Sequence, residues 1–192
     1  MGRWEPNARE RMMRAALELF AEYGFEQTTA GDIAASAGVT ERTFFRHFAD
    51  KREVLFDGAA TLDRIACEAI LAAPADHTAL DAALAGVVAG GELLEGRREY
   101  ATVRARIVAS HPSLRERELL KLAKLAESVA EALRTRGVSE PEASLAAHSA
   151  VTVFHVAFVR WIGSVADPGA ADGRPTFAEC AAGIAAAFRA LK

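Results

Sequence analysis

A capping pattern recurs along this chain and constrains its fold more than any other feature. A Ser, Thr, Asn or Asp is followed three residues later by an acidic residue, which is the pattern of a helix N-terminus. The first side chain accepts from a free backbone amide, and the acid favours the positive end of the helix. The pairs are Asn7 with Glu10, Thr29 with Asp32, Asp50 with Glu53, Thr78 with Asp81, Ser113 with Glu116, Ser139 with Glu142, and Thr176 with Glu179. These pairs predict a succession of helices.

The apolar residues between these starts follow a helical period, and no segment shows the sustained alternation of a strand. Helix ends are predicted at Gly24, Gly38, Gly137, Pro74, Pro112 and Pro168, because glycine turns easily and proline cannot continue a helix. The predicted helices cover residues 8–23, 30–36, 41–47, 51–73, 78–95, 98–110, 114–136, 140–166 and 177–191. The predicted fold class is all-α, with about nine helices.

Composition predicts a soluble globular protein of the reducing cytoplasm. Of 192 residues, 51% are hydrophobic and 26% charged, which excludes a disordered chain. Cys67 and Cys180 form neither a disulfide framework nor a zinc-ligand spacing. The apolar run from Leu145 to Val159 is interrupted by polar residues and is shorter than a membrane span, and the N-terminus lacks a signal peptide. We therefore expect no membrane association.

The predicted helices 30–36 and 41–47 are separated by a very short turn. Only Ala37, Gly38 and Val39 connect the two capped segments, which is the arrangement of a helix-turn-helix. Apolar residues such as Ile33 and Phe44 are available to lock the helices together. The second helix is polar and would be free to enter a DNA major groove.

The motif lies within a longer pattern that is similar to a known family. Residues 15–29 read AALELFAEYGFEQTT, and DIA (32–34), AGVT (37–40), RTFFRHF (42–48) and Lys51 follow. Over about the first 55 residues, this pattern resembles the TetR family of bacterial transcriptional regulators. His47 departs from it, since many members have a Tyr there.

The resemblance implies two domains and a homodimer. Residues 1–50 would form a three-helix DNA-binding domain, so that the two copies in a dimer read two half-sites of a double-stranded DNA operator. Residues 51–192 would form a helical effector-binding and dimerisation domain, with the last two helices pairing across the dimer. The implied function is a repressor that a small, largely apolar effector releases from a palindromic operator. The alternative is a DNA-binding dimer without a small-molecule inducer, regulated by a partner protein.

The match assigns DNA contacts to individual residues. Thr40 would cap the recognition helix near a phosphate, while Arg42 could grip a guanine and Thr43 touch a thymine methyl. Arg46 lies one turn beyond Arg42 and would reach DNA or stay solvated. Phe45 would contact DNA or pack in the core. The predicted DNA-binding residues are Thr28, Thr29, Gly31, Thr40, Arg42, Thr43, Phe45, Arg46, His47 and Lys51, the last from the start of the fourth helix.

The charge distribution favours a selective DNA reader over a protein that coats nucleic acid. The net charge is −3, yet residues 40–52 carry four Lys or Arg against two acids. Positive charge is concentrated where phosphate would lie, and the acidic remainder discourages indiscriminate binding.

The C-terminal part offers an apolar helix with some polar residues for an effector site. The candidate pocket residues are Tyr100, Arg104, Ile107, His148, Phe154, His155, Phe158 and Trp161. Arg104 lies one turn from Tyr100 and would orient a polar ligand group or sit on the surface. Each histidine would contact the ligand or occupy the core or an interface. We find no metal-ligand spacing, cofactor motif or catalytic set, so the chain is not expected to be an enzyme.

Overall fold

The computed structural model describes residues 7–164 and 173–191, and within these ranges the fold is all-α, as predicted. The described residues form nine α-helices and no strand, and the predicted helix end at Pro168 lies outside them. The helices are α1 (Ala8–Tyr23), α2 (Ala30–Ser36), α3 (Glu41–His47), α4 (Ala59–Ala72), α5 (Ala79–Glu92), α6 (Arg98–Ser110), α7 (Pro112–Thr135), α8 (Glu142–Gly163) and α9 (Phe177–Arg189).

Most of the predicted helix starts are confirmed, because capping is a local interaction. The side chains of Asn7, Thr29, Thr78 and Thr176 each accept from the amide three residues on. Asp50 accepts from the amides of Arg52 and Glu53 just before a short 3₁₀ helix, Glu53–Leu55, and not at the start of α4.

Two predicted starts, at Ser113 and Ser139, are wrong. Helix α7 begins earlier, at Pro112, because proline is well suited to the first position of a helix, where its missing amide has no helical partner. The ring of His111 then accepts from the amide of Ser113. Helix α8 begins at Glu142, and the carboxylate of Glu140, rather than the hydroxyl of Ser139, accepts from an amide of its first turn, that of Ser144 at 3.3 Å.

The predicted helix 51–73 is interrupted in the structure. The 3₁₀ helix Glu53–Leu55 comes first, and α4 begins only at Ala59. Between them, Gly58 has φ +90°, which a glycine adopts without the steric cost of a Cβ atom. Residues 51–58 are therefore a connector and not the first turns of α4.

The chain divides into two compact units. The first contains the described residues up to Gly58 together with Thr102–Glu118, and the second contains Ala59–Ala101 and the described residues from Leu119 on. The division falls inside α6 and α7, so each of these helices contributes residues to both units. The functional domains 1–50 and 51–192 remain a prediction.

The core of the second unit combines α5, α8 and α9, helices rich in small residues, with buried residues of α4 and α7. At Gly86 and Gly91 of α5, an added Cβ would overlap Ile70 and Phe177 respectively, so the glycines permit close helix packing. Helix α8 is the one described helix long and apolar enough to span a membrane. It buries Phe154 and Trp161 among the core residues, which is what a core helix of a globular domain does.

Candidate nucleic-acid interface

Helix α3 is anchored through one face and presents the other to solvent. Phe44 is fully buried, and its ring lies 5.3 Å from the ring of Phe48, which is also buried. Thr40 caps the helix by accepting from the amide of Thr43, and the two hydroxyls lie 3.0 Å apart. The anchoring fixes which side chains α3 directs outward.

The outward face of α3 carries Arg42, Phe45 and Arg46, all exposed. Within the described part of the chain, no hydrogen bond or ion pair occupies either guanidinium. Phe45 is 51% exposed, with only an edge-on contact to the ring of Phe44 at 5.5 Å. The sequence allowed Phe45 either to contact DNA or to pack in the core, and its exposure favours the first interpretation. His47 is half-buried beside Phe48.

The start of α2 is a complete capping box. The Thr29 hydroxyl accepts from the Asp32 amide, and the Asp32 carboxylate accepts from both the Thr29 amide and its hydroxyl. The hydrogen bonds from Thr29 lower the pKa of the Asp32 carboxyl. Gly31 follows in the first turn and is partly exposed. The α2 start thus presents a rigid helix N-terminus, which is a favourable place for a phosphate.

The side chain of Thr28 points into the protein. It is 2% exposed, and its hydroxyl donates to the carbonyl of Gly24 at 3.0 Å. The predicted DNA contact of this side chain is thus replaced by an internal hydrogen bond that closes the turn after α1. Sequence alone could not show this, because a threonine before a capping box suits either role.

Lys51 also has internal partners that the sequence did not predict. Its ammonium donates to the carbonyls of Phe25 at 2.8 Å and Thr28 at 3.0 Å. It also lies 4.3 Å from the centroid of the Phe25 ring. Lys51 therefore ties the α1–α2 turn to the segment after α3, whereas the sequence suggested a phosphate contact from a fourth helix.

We expect Lys51→Met to lower the stability of the first unit without removing a direct phosphate contact. The variant keeps an unbranched chain but removes the charged hydrogen bonds, at a cost of about 1–3 kcal/mol. Urea unfolding measures the stability, and the slope of log K against log salt measures the phosphate contacts. A slope shallower by about one, with unchanged stability, would instead support the phosphate contact.

The α6–α7 corner forms part of the first unit and holds the connector after α3. The buried Arg104 donates through Nε to the carbonyl of Leu55 at 2.6 Å and pairs with Glu118 at 2.5 Å. Its guanidinium lies 4.9 Å from the centroid of the Phe56 ring. Arg117 lies 5.0 Å from the same centroid. Two arginines of α6 and α7 therefore grip one aromatic residue of the connector.

The corner makes another ion pair to the connector and a histidine–carboxylate contact to the α1–α2 turn. Arg117 binds both carboxylate oxygens of Glu53, at 2.7 and 2.9 Å, and this hydrogen bonding raises the pKa of the Arg117 guanidinium. His111 pairs with Glu26, and its ring lies 4.9 Å from the ring of Phe25. The predicted pocket residue Arg104 is thus a buried structural residue of the first unit.

The eight predicted pocket residues are divided between the two units. Arg104 and Ile107 belong to the first unit, and the other six to the second. His148 and His155 are exposed on α8. Phe154 and Trp161 are buried against Phe177, with Phe158 beside Trp161. Tyr100 is half-buried in α6. None of them lines the groove between α4 and α7.

These observations define the chain as a helix-turn-helix protein with a C-terminal helical unit. Residues 12–57 match the family model described as "Bacterial regulatory proteins, tetR family". The N-terminal module of this chain is therefore similar to that of the TetR family of bacterial regulatory proteins.

A curated relative supports this assignment. The HTH-type transcriptional regulator TcmR of Streptomyces glaucescens is 41% identical over 91 residues, which cover 44% of this chain and 40% of that protein. The chain thus matches less than half of the length of its curated relatives. These relatives are regulators, in agreement with the expectation that the chain is not an enzyme.

Solved structures extend the similarity of fold to almost the whole chain. A bacterial regulatory protein in the tetR family from Rhodococcus RHA1 has a TM-score of 0.51 and 23% identity, and covers 96% of this chain and 97% of that one. The TetR family transcriptional regulator PfmR from Thermus thermophilus has a TM-score of 0.50 and 20% identity, and covers 95% and 99%. At these identities, the similarity concerns the fold.

Proposed function

We propose that the chain is a cytoplasmic repressor that binds a palindromic operator as a homodimer and is released by a small-molecule effector. The observation that carries the proposal is the outward face of α3. Arg42 and Arg46 are exposed and uncommitted there, one turn apart, with the exposed Phe45 between them. A guanidinium in this setting can bind guanine O6 and N7, and an aromatic edge can contact a thymine methyl or a sugar.

The supporting contacts come from the ends of two helices. The capped starts of α2 and α3, at Thr29 and Thr40, offer backbone amides to phosphates on either side of the groove. Gly31, Thr43 and His47 lie near these positions in the chain and are partly exposed. They would fix the register of the module on the duplex, while Arg42 supplies sequence discrimination.

A homodimer through α8 and α9 is supported by the exposed faces of these helices. On α8, the exposed face includes Leu145, which is 66% exposed, and Val159, which is 52% exposed. On α9, Ala182, Ala186 and Ala187 are exposed and small enough for close helix packing. Pairing these faces in two copies would bury apolar side chains and give the two-fold symmetry that a palindromic operator requires.

Effector release would work as a population shift. An effector that binds the second unit more tightly in one dimer state favours that state, and its recognition helices would no longer fit half-sites about 34–36 Å apart. Helices α6 and α7 each contribute residues to both units, and this supports such coupling. A confirmed effector that left operator affinity unchanged would favour the alternative, regulation by a partner protein.

We expect Arg42→Ala to reduce discrimination between operator and random DNA. Loss of one bidentate base contact costs roughly 1–3 kcal/mol at the operator and little at random sequence. Fluorescence anisotropy with both duplexes at one salt concentration measures the ratio. Arg64→Ala, which removes the same charge from an exposed arginine of the second unit, serves as the control. Equal losses at operator and random DNA would refute base reading by Arg42.

A further inference from the structure

The second unit contains an open groove between α4 and α7. The cavity volume is about 580 Å³, within the range of roughly 300–1,000 Å³ that is usual for sites of drug-sized ligands. Two residues of α4 and six of α7 line it. They are Cys67, Leu71, Glu127, Ser128, Glu131, Ala132, Arg134 and Thr135.

The floor of the groove is apolar and electrically neutral. Leu71, 49% exposed, supplies a large apolar surface at one end, and Ala132 is buried beneath. The Cys67 thiol donates to the carbonyl of Ser128, with Sγ 3.6 Å from the oxygen. Burial raises the pKa of this thiol, and the nearby charges of Asp63 and Glu68 raise it further. The floor therefore suits an uncharged apolar group and offers no reactive thiolate.

The rim is acidic, because the arginine that lines it is already neutralised. Arg134 binds Glu131 through Nε and Nη2, at 3.0 and 2.6 Å, and binds Glu140 through Nη1 at 2.6 Å. Both bonds to Glu131 use its Oε2 atom, so Oε1 is left for a ligand. Within the described residues, the exposed carboxylate of Glu127 has no hydrogen bond or ion pair. The groove thus presents negative charge along one edge of an apolar floor.

The lining also distinguishes between kinds of cation. Sites for quaternary ammonium groups use aromatic faces, and none of the described aromatic side chains lines this groove. Carboxylates instead accept strong hydrogen bonds from the N–H groups of a protonated amine. The lining of the groove therefore suits an amine that has both N–H donors and an apolar arm.

We propose that the groove between α4 and α7 binds a protonated primary or secondary amine with an apolar arm. The ammonium lies between Glu127 and Oε1 of Glu131, and the arm covers Leu71 and Ala132. A regulatory effect of the amine on DNA affinity rests on the function proposed above. Binding of the amine in the groove does not.

Three matched probes test the chemistry of the ligand by isothermal titration calorimetry on the full chain. They are 1-naphthylmethylamine, the neutral 1-naphthylmethanol, and the trimethylammonium derivative of the same naphthylmethyl group. We expect the amine to bind more tightly than the other two, and its affinity to fall as salt is added. Absence of amine binding, or equal binding of the amine and the alcohol, would overturn the proposal.

Two variants test the location. Glu127→Gln should weaken amine binding about fivefold, since a solvent-exposed ion pair contributes up to about a factor of five. Leu71→Ser should weaken it several-fold through lost apolar contact. Glu92→Gln removes the same charge from an exposed residue of α5 outside the groove, and it should bind like the unaltered protein. Equal affinities in Glu127→Gln and Glu92→Gln would overturn the assignment to this groove.

A separate DNA titration distinguishes this inference from the proposed function. If the amine binds and operator affinity falls, then the groove is the effector site. If the amine binds in the groove and operator affinity is unchanged, the amine site stands and its regulatory role fails. Loss of operator binding in Arg42→Ala, measured without amine, tests the DNA-reading function independently of the groove.

Discussion

Arg104→Met is expected to destabilise the first unit by roughly 3–5 kcal/mol, the usual cost of breaking a buried ion pair on one side. Methionine retains an unbranched apolar chain but leaves the carbonyl of Leu55 and the carboxylate of Glu118 without their shared partner. It also removes the guanidinium from the Phe56 ring. Thermal and urea unfolding, followed by helical circular dichroism, would measure the loss.

An exposed ion pair provides the matched control. Arg64 and Glu68 are neighbours on α4, with side chains 60% and 61% exposed, so Arg64→Met should cost less than about 1 kcal/mol. Replacing both Glu118 and Arg104 by methionine should cost less than the sum of the two single changes, because each single change breaks the same ion pair. If Arg104→Met were no more destabilising than Arg64→Met, the buried bond would not hold the connector.

Features determined by neighbours in the sequence could be predicted from it. The capping boxes at Thr29 and Thr176 involve atoms three residues apart, and their geometry follows from the residue types. The helix-turn-helix depends on a short turn, and Gly38, with φ +67°, occupies the position where the chain turns. The exposed face of α3 follows from the period that buries Phe44.

Features that depend on distant partners could not be predicted in the same way. Helical periodicity left Arg104 in a pocket or on the surface, and did not show that it is buried with a backbone carbonyl 49 residues away as its partner. The same holds for Lys51, whose acceptors are backbone carbonyls of the α1–α2 turn. Because every residue has such a carbonyl, the residue types do not reveal this contact. His148 and His155 share an apolar helix with Phe154, yet they lie on its exposed face. Their spacing alone did not separate core from surface.

Gly91→Ala is expected to destabilise the second unit by about 1–3 kcal/mol or more, through overpacking. The added Cβ would lie 2.5 Å from Cδ1 and Cζ of the Phe177 ring and closer still to Cε1. The ring cannot withdraw easily, because it is fully buried with Phe154 and Trp161, whose ring centroids are 5.4 and 6.1 Å away. The gain in helix propensity, about 1 kcal/mol, is too small to offset this overlap.

Gly163→Ala controls for the propensity gain, since an added Cβ there meets no atom within 4 Å in the last residue of α8. This change should be neutral or stabilising. Phe177→Leu alone should lower the free energy of unfolding, because it opens a cavity. Its cost should be smaller in the Gly91→Ala background, since the smaller side chain makes room for the methyl group. A double variant whose loss is the simple sum of the two would show that the methyl group and the ring do not meet. The small residue at position 91 would then have another cause than close packing of α5 against α9.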